Sequence, residues 1–215
     1  QDTGSLVVFA EIGNHCIIDG PPLPEIINET LIISSAELYL RPSILKDPLL
    51  QRENTGNNAP AVIHISIVEG DKLKLQIAQK GGGAENMSQL KMLIPSAKAD
   101  EIKNFVVETV TLAKGNACPP LIIGIGIGGN FETCALLAKK ALFQPLTAKN
   151  PIERYALLEQ EILKGVNETG IGVQGLGGKT TALAVHILNA PCHIASLPVA
   201  VNLQCHSHRH IEIVI

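Results

Sequence analysis

Apolar residues alternate with polar ones along some stretches of the chain and recur at helical spacing along others, which predicts an α/β fold of the mixed α+β kind. The predicted strands are residues 5–12, 61–69, 72–79, 121–127, 182–188 and 194–203. The predicted helices are residues 25–40, 99–113, 130–143 and 151–166. We therefore expect one mixed β-sheet flanked by helices, within a single domain of residues 1–215.

The second and third strands are separated by little more than Gly70 and Asp71, and this spacing predicts a β-hairpin with a tight turn. The third strand runs directly into three consecutive glycines, Gly81 to Gly83. Consecutive glycines cost backbone entropy, so this loop indicates a special conformation or the close approach of another group.

Composition disfavours two broad functions. The net charge is −3 and aromatic residues make up 3% of the chain, which offers neither a basic field nor stacking surfaces for nucleic acid. Apolar runs fall short of the roughly 18 residues that a membrane-spanning helix needs.

Five cysteines, an odd number, favour free thiols in a reducing compartment, and hence the cytoplasm, over a disulfide framework.

Two glycine motifs resemble nucleotide-binding loops. The segment from Gly124 to Gly129 satisfies G-x-G-x-x-G, but residues 144–151 do not form the second strand that a dinucleotide fold requires. Close helix–strand packing is the preferred interpretation of these glycines. The loop before Lys179 has Val173 where a phosphate-binding P-loop needs glycine, so ATP and GTP are disfavoured.

Two of the five cysteines lie in unusual surroundings. Cys118 is followed by two prolines, which restrict the backbone beside the thiol at the start of a strand, and Cys205 lies in a polar, histidine-rich segment. We predict that both are metal ligands. Cys16, Cys134 and Cys192 have apolar neighbours and are predicted to be small core residues.

A zinc site is an alternative near the C-terminus. His206, His208 and His210 would share one face of a strand, opposite Cys205, because strand side chains alternate. Histidines spaced in this way can share one zinc ion, although a solvated histidine-rich strand fits the same pattern.

Five motifs in one order carry a resemblance to a known family. They are QDTG (1–4), KGGGAEN (80–86), ACPP (117–120) with its glycine-rich turn, GLGGKTT (175–181) and LPVAVNLQCH (197–206). Together they resemble the α subunit of the iron–sulfur (class I) fumarate hydratases and of the similar L-tartrate dehydratases.

The resemblance implies a cofactor and a partner. Three cysteines of that family hold a 4Fe-4S cluster with one open iron, and two of them match Cys118 and Cys205. The third would immediately precede Gln1, so we expect a truncated α subunit that is inactive in isolation. The expected activity is a hydro-lyase reaction on fumarate and malate, within the tricarboxylic acid cycle, in a hetero-oligomer with a β subunit.

The resemblance also implies roles for individual residues. Arg41 and the amides of Gly82 and Gly83 would bind the substrate, in a pocket also lined by Gln1. Asp2 and His193 would be catalytic, and the β subunit would supply the remaining catalytic groups.

Two alternatives stay open from the sequence. The same substrate pocket fits L-tartrate as well as fumarate. A different class of function is a non-catalytic module that binds a dicarboxylate, with Lys179 as an additional cation, or one that binds zinc.

Overall fold

A computed structural model describes residues 2–215, which contain eight strands and five α-helices. The strands are β1 (Ser5–Gly13), β2 (Val62–Val68), β3 (Leu73–Lys80), β4 (Gln89–Leu93), β5 (Leu121–Gly128), β6 (Ala182–Ala190), β7 (Leu197–Gln204) and β8 (Arg209–Val214). The helices are α1 (Leu23–Glu37), α2 (Gly82–Asn86), α3 (Ala99–Ala113), α4 (Phe131–Ala141) and α5 (Glu153–Glu168). Within the described residues, no helix combines the length and the apolar character needed to cross a membrane.

The chain divides into two compact units. The first contains the residues up to Gly82 together with His208–Ile215, and the second contains Gly83–Ser207. Each unit has its own four-stranded mixed sheet with helices, so the mixed α/β class is confirmed, while two sheets replace the single sheet that we expected. The assignment of residues 1–215 to one domain stays a prediction.

In the first unit the strand order is β2-β1-β3-β8, and the predicted hairpin is wrong. β2 and β3 both form, but β1 lies between them, parallel to β2 and antiparallel to β3. Val8 of β1 faces Ile63 on one side and Ile77 on the other. Two strands that are close in sequence have the spacing of a hairpin whether or not they pair with each other. The spacing alone does not reveal that a third strand lies between them.

In the second unit the order is β4-β7-β5-β6, with β5 parallel to β6 and antiparallel to β7. The first sheet, followed from β2, and the second sheet, followed from β6, both have one parallel pair and then two antiparallel pairs. β4 and β8 were not predicted, since β4 has only five residues and β8 begins at Arg209, within the histidine-rich segment.

Strand β5 is the core of the second unit, and all eight of its residues are buried. A Cβ atom added at Gly126 would overlap the carbonyl oxygen of Cys134 in α4, and one at Gly124 would overlap that of Ala138. The backbone of α4 therefore rests directly on β5. This confirms close helix–strand packing as the role of these two glycines. Asn130 caps the start of α4, where its side chain accepts a hydrogen bond from the Thr133 amide.

Replacing Gly126 with alanine should separate α4 from β5. We expect Gly126→Ala to reduce the free energy of unfolding by about 2–4 kcal/mol, because backbone atoms cannot move aside as a flexible side chain could. Gly165→Ala in α5 is the matched control, since its Cβ would make only ordinary contacts and alanine favours helices by about 1 kcal/mol. Urea unfolding of both variants measures the difference, and equal stabilities would contradict the packing argument.

Candidate active site

The two cysteines singled out from the sequence lie at the same edge of the second sheet. Cys118 precedes β5 and Cys205 follows β7, and these strands run antiparallel with Ile122 opposite Gln204. The start of one antiparallel strand meets the end of the other, so the pairing itself brings the two cysteines together. The amide of His206 donates a hydrogen bond to the carbonyl oxygen of Cys118, at 3.2 Å, which joins the two segments beyond the ladder.

The backbone at Cys118 has an uncommon conformation. A 3₁₀ turn, Lys114–Ala117, ends at Cys118, whose φ and ψ of 53° and 62° are left-handed. Its amide donates to the carbonyl oxygen of Gly115 at 3.0 Å, and the peptide bond between Pro119 and Pro120 is cis. A left-handed cysteine costs energy and persists only where its surroundings hold it, so this position is closely constrained.

All five cysteines are free thiols, but their exposure differs. Cys118 and Cys205 are partly buried, as is Cys16. Cys134 is fully buried, which confirms its predicted core role, and burial raises the pKa of its thiol. Cys192 is exposed, so its predicted core role is wrong: the turn after β6 carries it to the surface.

The thiols of Cys118 and Cys205 fit an iron–sulfur centre in chemistry and in placement. Cysteine thiolates are the usual ligands of such clusters, and two free, partly exposed cysteines from separate chain segments meet at one sheet edge. Among residues 2–215, no three His, Cys, Asp or Glu side chains form a group that could hold a metal ion. The third cysteine that the resemblance implies stays a prediction.

The first unit contains a set of hydrogen-bond donors around a carboxylate. One oxygen of Asp2, Oδ1, accepts from the Gly4 amide at 3.0 Å and lies 3.3 Å from Nη2 of Arg41. The other, Oδ2, accepts from the Gly82 amide at 2.7 Å. Arg209 donates to the backbone carbonyl oxygen of Asp2 at 3.1 Å. Two backbone amides and two guanidinium groups thus surround Asp2.

These donors stabilise the ionised form of Asp2. Partial burial raises the pKa of this carboxyl, but hydrogen bonds from the Gly82 and Gly4 amides outweigh it, with further lowering by the charges of Arg41 and Arg209. The pKa of Asp2 therefore lies below its ordinary value of 3.8. A carboxylate held in this way is a weak proton acceptor, and it occupies the Gly82 amide and the Arg41 guanidinium, which we expected to bind substrate.

His193 lies far from the two cysteines in this chain. It is an exposed residue in the turn between β6 and β7, where its Nδ1 accepts from the Ala195 amide at 3.1 Å. That turn is at the start of β7, whereas Cys205 follows its end. Eight residues of strand separate them, a span of roughly 25 Å. The structure does not bring His193 together with the cysteines, and its catalytic role stays a prediction from the resemblance.

The remaining predicted residues have the following positions. Gln1 lies outside the described residues. Gly83 lies in α2, where a Cβ atom would come within 3.0 Å of the Asn116 carbonyl oxygen, so another segment of the second unit approaches this glycine closely. The rings of His208 and His210 contact each other, with centroids 4.0 Å apart. His206 instead contacts Gln174 and Cys118, through Nδ1.

Sequence reasoning missed two residues of these clusters. Arg209 was passed over as part of a histidine-rich stretch, although it contacts the segment that contains Asp2. Gln174 was hidden in the glycine-dense loop of residues 170–181, where its positive φ of 55° is not visible from the sequence. The single signal was that Gln174 is a polar residue among glycines.

Comparisons with known proteins identify the family. The family model for fumarate hydratase (Fumerase) matches residues 1–214. The chain belongs to the fumarate hydratase family. It is 42% identical to the putative L(+)-tartrate dehydratase subunit alpha of Methanocaldococcus jannaschii over 97% of this chain and 75% of that protein. It is 32% identical to the L(+)-tartrate dehydratase subunit alpha of Escherichia coli K12, over 97% of this chain and 69% of that protein.

Membership in the fumarate hydratase family confirms the resemblance drawn from the five motifs, and with it the hydro-lyase class of the chain. The match extends across both units. The cysteine pair of the second unit and the donor set around Asp2 in the first unit are therefore both features of a hydro-lyase chain.

The lowered pKa of Asp2 predicts a pH-dependent stability difference. A carboxyl with a depressed pKa in the folded state stabilises the fold above its unfolded pKa and loses that contribution as the pH falls through the folded value. We expect Asp2→Asn to be less stable than the unaltered chain at neutral pH, by up to about 1 kcal/mol for a partly exposed group.

The difference should shrink as the pH falls from about 5 to below 3.8. Urea unfolding of the full-length protein across this range is the measurement. Asp71→Asn, an exposed aspartate in the turn between β2 and β3, is the control. A difference for Asp2→Asn that does not change with pH would contradict the charge-stabilised donor set.

Proposed function

We propose that this chain is the α subunit of an iron–sulfur hydro-lyase that reversibly adds water to, or removes it from, a C4 dicarboxylate, with fumarate and malate as the substrate pair. The observation that carries the proposal is the meeting of Cys118 and Cys205 at one edge of the β5–β7 ladder, in a chain of the fumarate hydratase family. Neither thiol is used in a disulfide, and neither is fully buried.

Cys118 and Cys205 would hold a 4Fe-4S cluster together with a third cysteine. Such a cluster, when bound, supplies an open iron that acts as a Lewis acid toward the substrate hydroxyl and carboxylate. The chain's own contribution is rigid placement of the two thiolates. The left-handed turn sets Cys118, and the end of β7 sets Cys205.

The donor set around Asp2 supports recognition of a carboxylate. Arg41 and the Gly82 amide are groups that bind carboxylates in general, and here they bind the side chain of Asp2. Asp2 then has two roles in the proposal: it orders the backbone at Gly4 and Gly82, and it becomes a proton acceptor only after these donors turn to the substrate. The roles of Asp2, Arg41, Gly82 and Gly83 remain proposals.

A β subunit would complete the enzyme. The relatives from Methanocaldococcus jannaschii and Escherichia coli are named as alpha subunits, which supports a second, different chain in the assembly. The five free thiols support a reducing, cytoplasmic compartment.

L(+)-tartrate is a second candidate substrate. The names of these same relatives, tartrate dehydratase, favour it, whereas the family description favours fumarate. The two reactions share the removal of water beside a carboxylate and differ in one further hydroxyl group.

Cluster assembly should depend on both cysteines. We expect Cys118→Ser and Cys205→Ser, each in the full-length protein after anaerobic reconstitution, to lower bound iron and acid-labile sulfide by about tenfold or more, because each removes a ligand. Cys192→Ser is the matched control, since that thiol is exposed at the far end of β7. Equal iron in all variants would remove both residues from the ligand set and would favour a binding module without a cluster.

Activity should separate the two substrates and the non-catalytic alternative. We expect the reconstituted full-length chain, mixed with its β subunit, to hydrate fumarate. The loss of fumarate absorbance over time measures this reaction. Dehydration of L(+)-tartrate in a parallel assay is the comparison. Faster turnover of tartrate would reassign the substrate, and cluster-loaded protein that acts on neither would contradict the proposed reaction.

A further inference from the structure

We infer that Gln174 is a positioning residue for Cys118, acting through Pro119 and His206. This inference rests on the proposed role of Cys118 as a ligand. It assigns a function to the glycine-dense loop of residues 170–181, which is not a nucleotide-binding loop and does not contribute to the donor set around Asp2. All the residues concerned lie in the second unit.

Gln174 binds the segment that follows Cys118 through its backbone and its side chain. Its amide donates to the carbonyl oxygen of Pro119 at 2.8 Å, and its side-chain Nε2 donates to the same oxygen at 3.2 Å. Two donors from one residue therefore converge on a single acceptor, one residue after the thiol. Together they restrain the left-handed turn at Cys118 from its C-terminal side.

The side chain of Gln174 also reaches the segment that follows Cys205. Its Nε2 lies 3.1 Å from Nδ1 of His206, and the same Nδ1 lies 3.1 Å from the carbonyl oxygen of Cys118. When Nδ1 of His206 carries the ring proton, it donates to the carbonyl oxygen of Cys118. When Nε2 of the same ring carries the proton, Nδ1 accepts a hydrogen bond from the Gln174 side chain. In either tautomer His206 lies between Gln174 and Cys118, so one glutamine contacts the neighbours of both cysteines.

The loop that presents Gln174 is held against the turn before Cys118 by a close backbone contact. A Cβ atom at Gly115 would come within 2.9 Å of the carbonyl oxygen of Gln174, and one at Gly175 within 2.7 Å of the Gly115 Cα. The two backbones touch at positions where only glycine fits. Gln174 itself has a φ of 55°, a costly conformation for a residue with a side chain, and its three hydrogen bonds to Pro119 and His206 offset that cost.

The side chain of Gln174 is exposed, and core packing therefore does not account for it. Its polar atoms contact groups adjacent to the two thiols, and an apolar residue of similar length at this position would keep the loop's shape without the donor. Gln174→Met removes the side-chain donor alone. Gln174→Glu, which has the same size and also lacks the donor, is a second variant in case the first does not fold.

The reactivity of Cys118 in the cluster-free, full-length protein is the direct test. We expect the rate of Cys118 alkylation by iodoacetamide, measured by peptide mass spectrometry, to rise about fivefold in both Gln174 variants, the effect of about one net hydrogen bond on local opening. The rate at Cys192 should not change, and Leu176→Met in the same loop should alter neither rate. An unchanged Cys118 rate, or equal rises at Cys118 and Cys192, would overturn the inference.

A second measurement separates positioning from simple stability. After reconstitution, we expect the reduced cluster of Gln174→Met to show an altered electron paramagnetic resonance spectrum at an iron content near that of the unaltered protein. An identical spectrum would overturn the inference. Unaltered protein that binds no cluster would contradict the proposed function instead, and the alkylation rates would still decide the role of Gln174 on their own.

Discussion

The antiparallel pairing of β5 with β7 is the constraint on which the cysteine site depends. The two strands are separated in the chain by two helices and one strand, yet their register places residues 118 and 205 at one edge of the sheet. A shift of this register would move the cysteines apart and turn buried side chains to the opposite face of the sheet. The buried surface of β5 therefore also determines where the two thiols lie.

Packing of α4 on β5 supports that register. Gly124 and Gly126 let the helix backbone rest on the strand, and Leu121, Ile123 and Ile125 are fully buried in the same core. This contact explains the glycines of the segment from Gly124 to Gly129, which satisfies the dinucleotide-binding motif. Glycine at Gly115 and Gly175 has a comparable effect at the sheet edge, where two loops approach and Gln174 comes to lie beside the turn of Cys118.

Much of the fold and part of the site could be predicted from the sequence, because local patterns determine those parts. Apolar periodicity identified most strands and helices, and the prolines after Cys118 indicated a restrained thiol. Pairing between distant strands is not a local property, and so the hairpin of β2 and β3 was predicted wrongly and the two-sheet arrangement was not foreseen.

The same reason explains the outcome at the site. The five motifs identified the family and include both cysteines, but the donors around Asp2 come from positions as distant as Arg209. Gln174 contacts Pro119 through its backbone and its side chain, across a gap of 55 residues in the chain. His193 is close to Cys205 in sequence but distant from it in the structure. It is twelve residues from Cys205 in sequence, but an extended strand puts it at the opposite edge of the sheet.

The most direct test of the account is whether Cys118 and Cys205 can be linked to each other. Dibromobimane becomes strongly fluorescent only when it joins two thiols that lie within a few ångströms. In the cluster-free protein of residues 1–215, with the other three cysteines, Cys16, Cys134 and Cys192, replaced by serine, we expect one fluorescent product that joins the peptides containing Cys118 and Cys205. Protein that reacts at both thiols without forming this link would contradict their placement at one sheet edge.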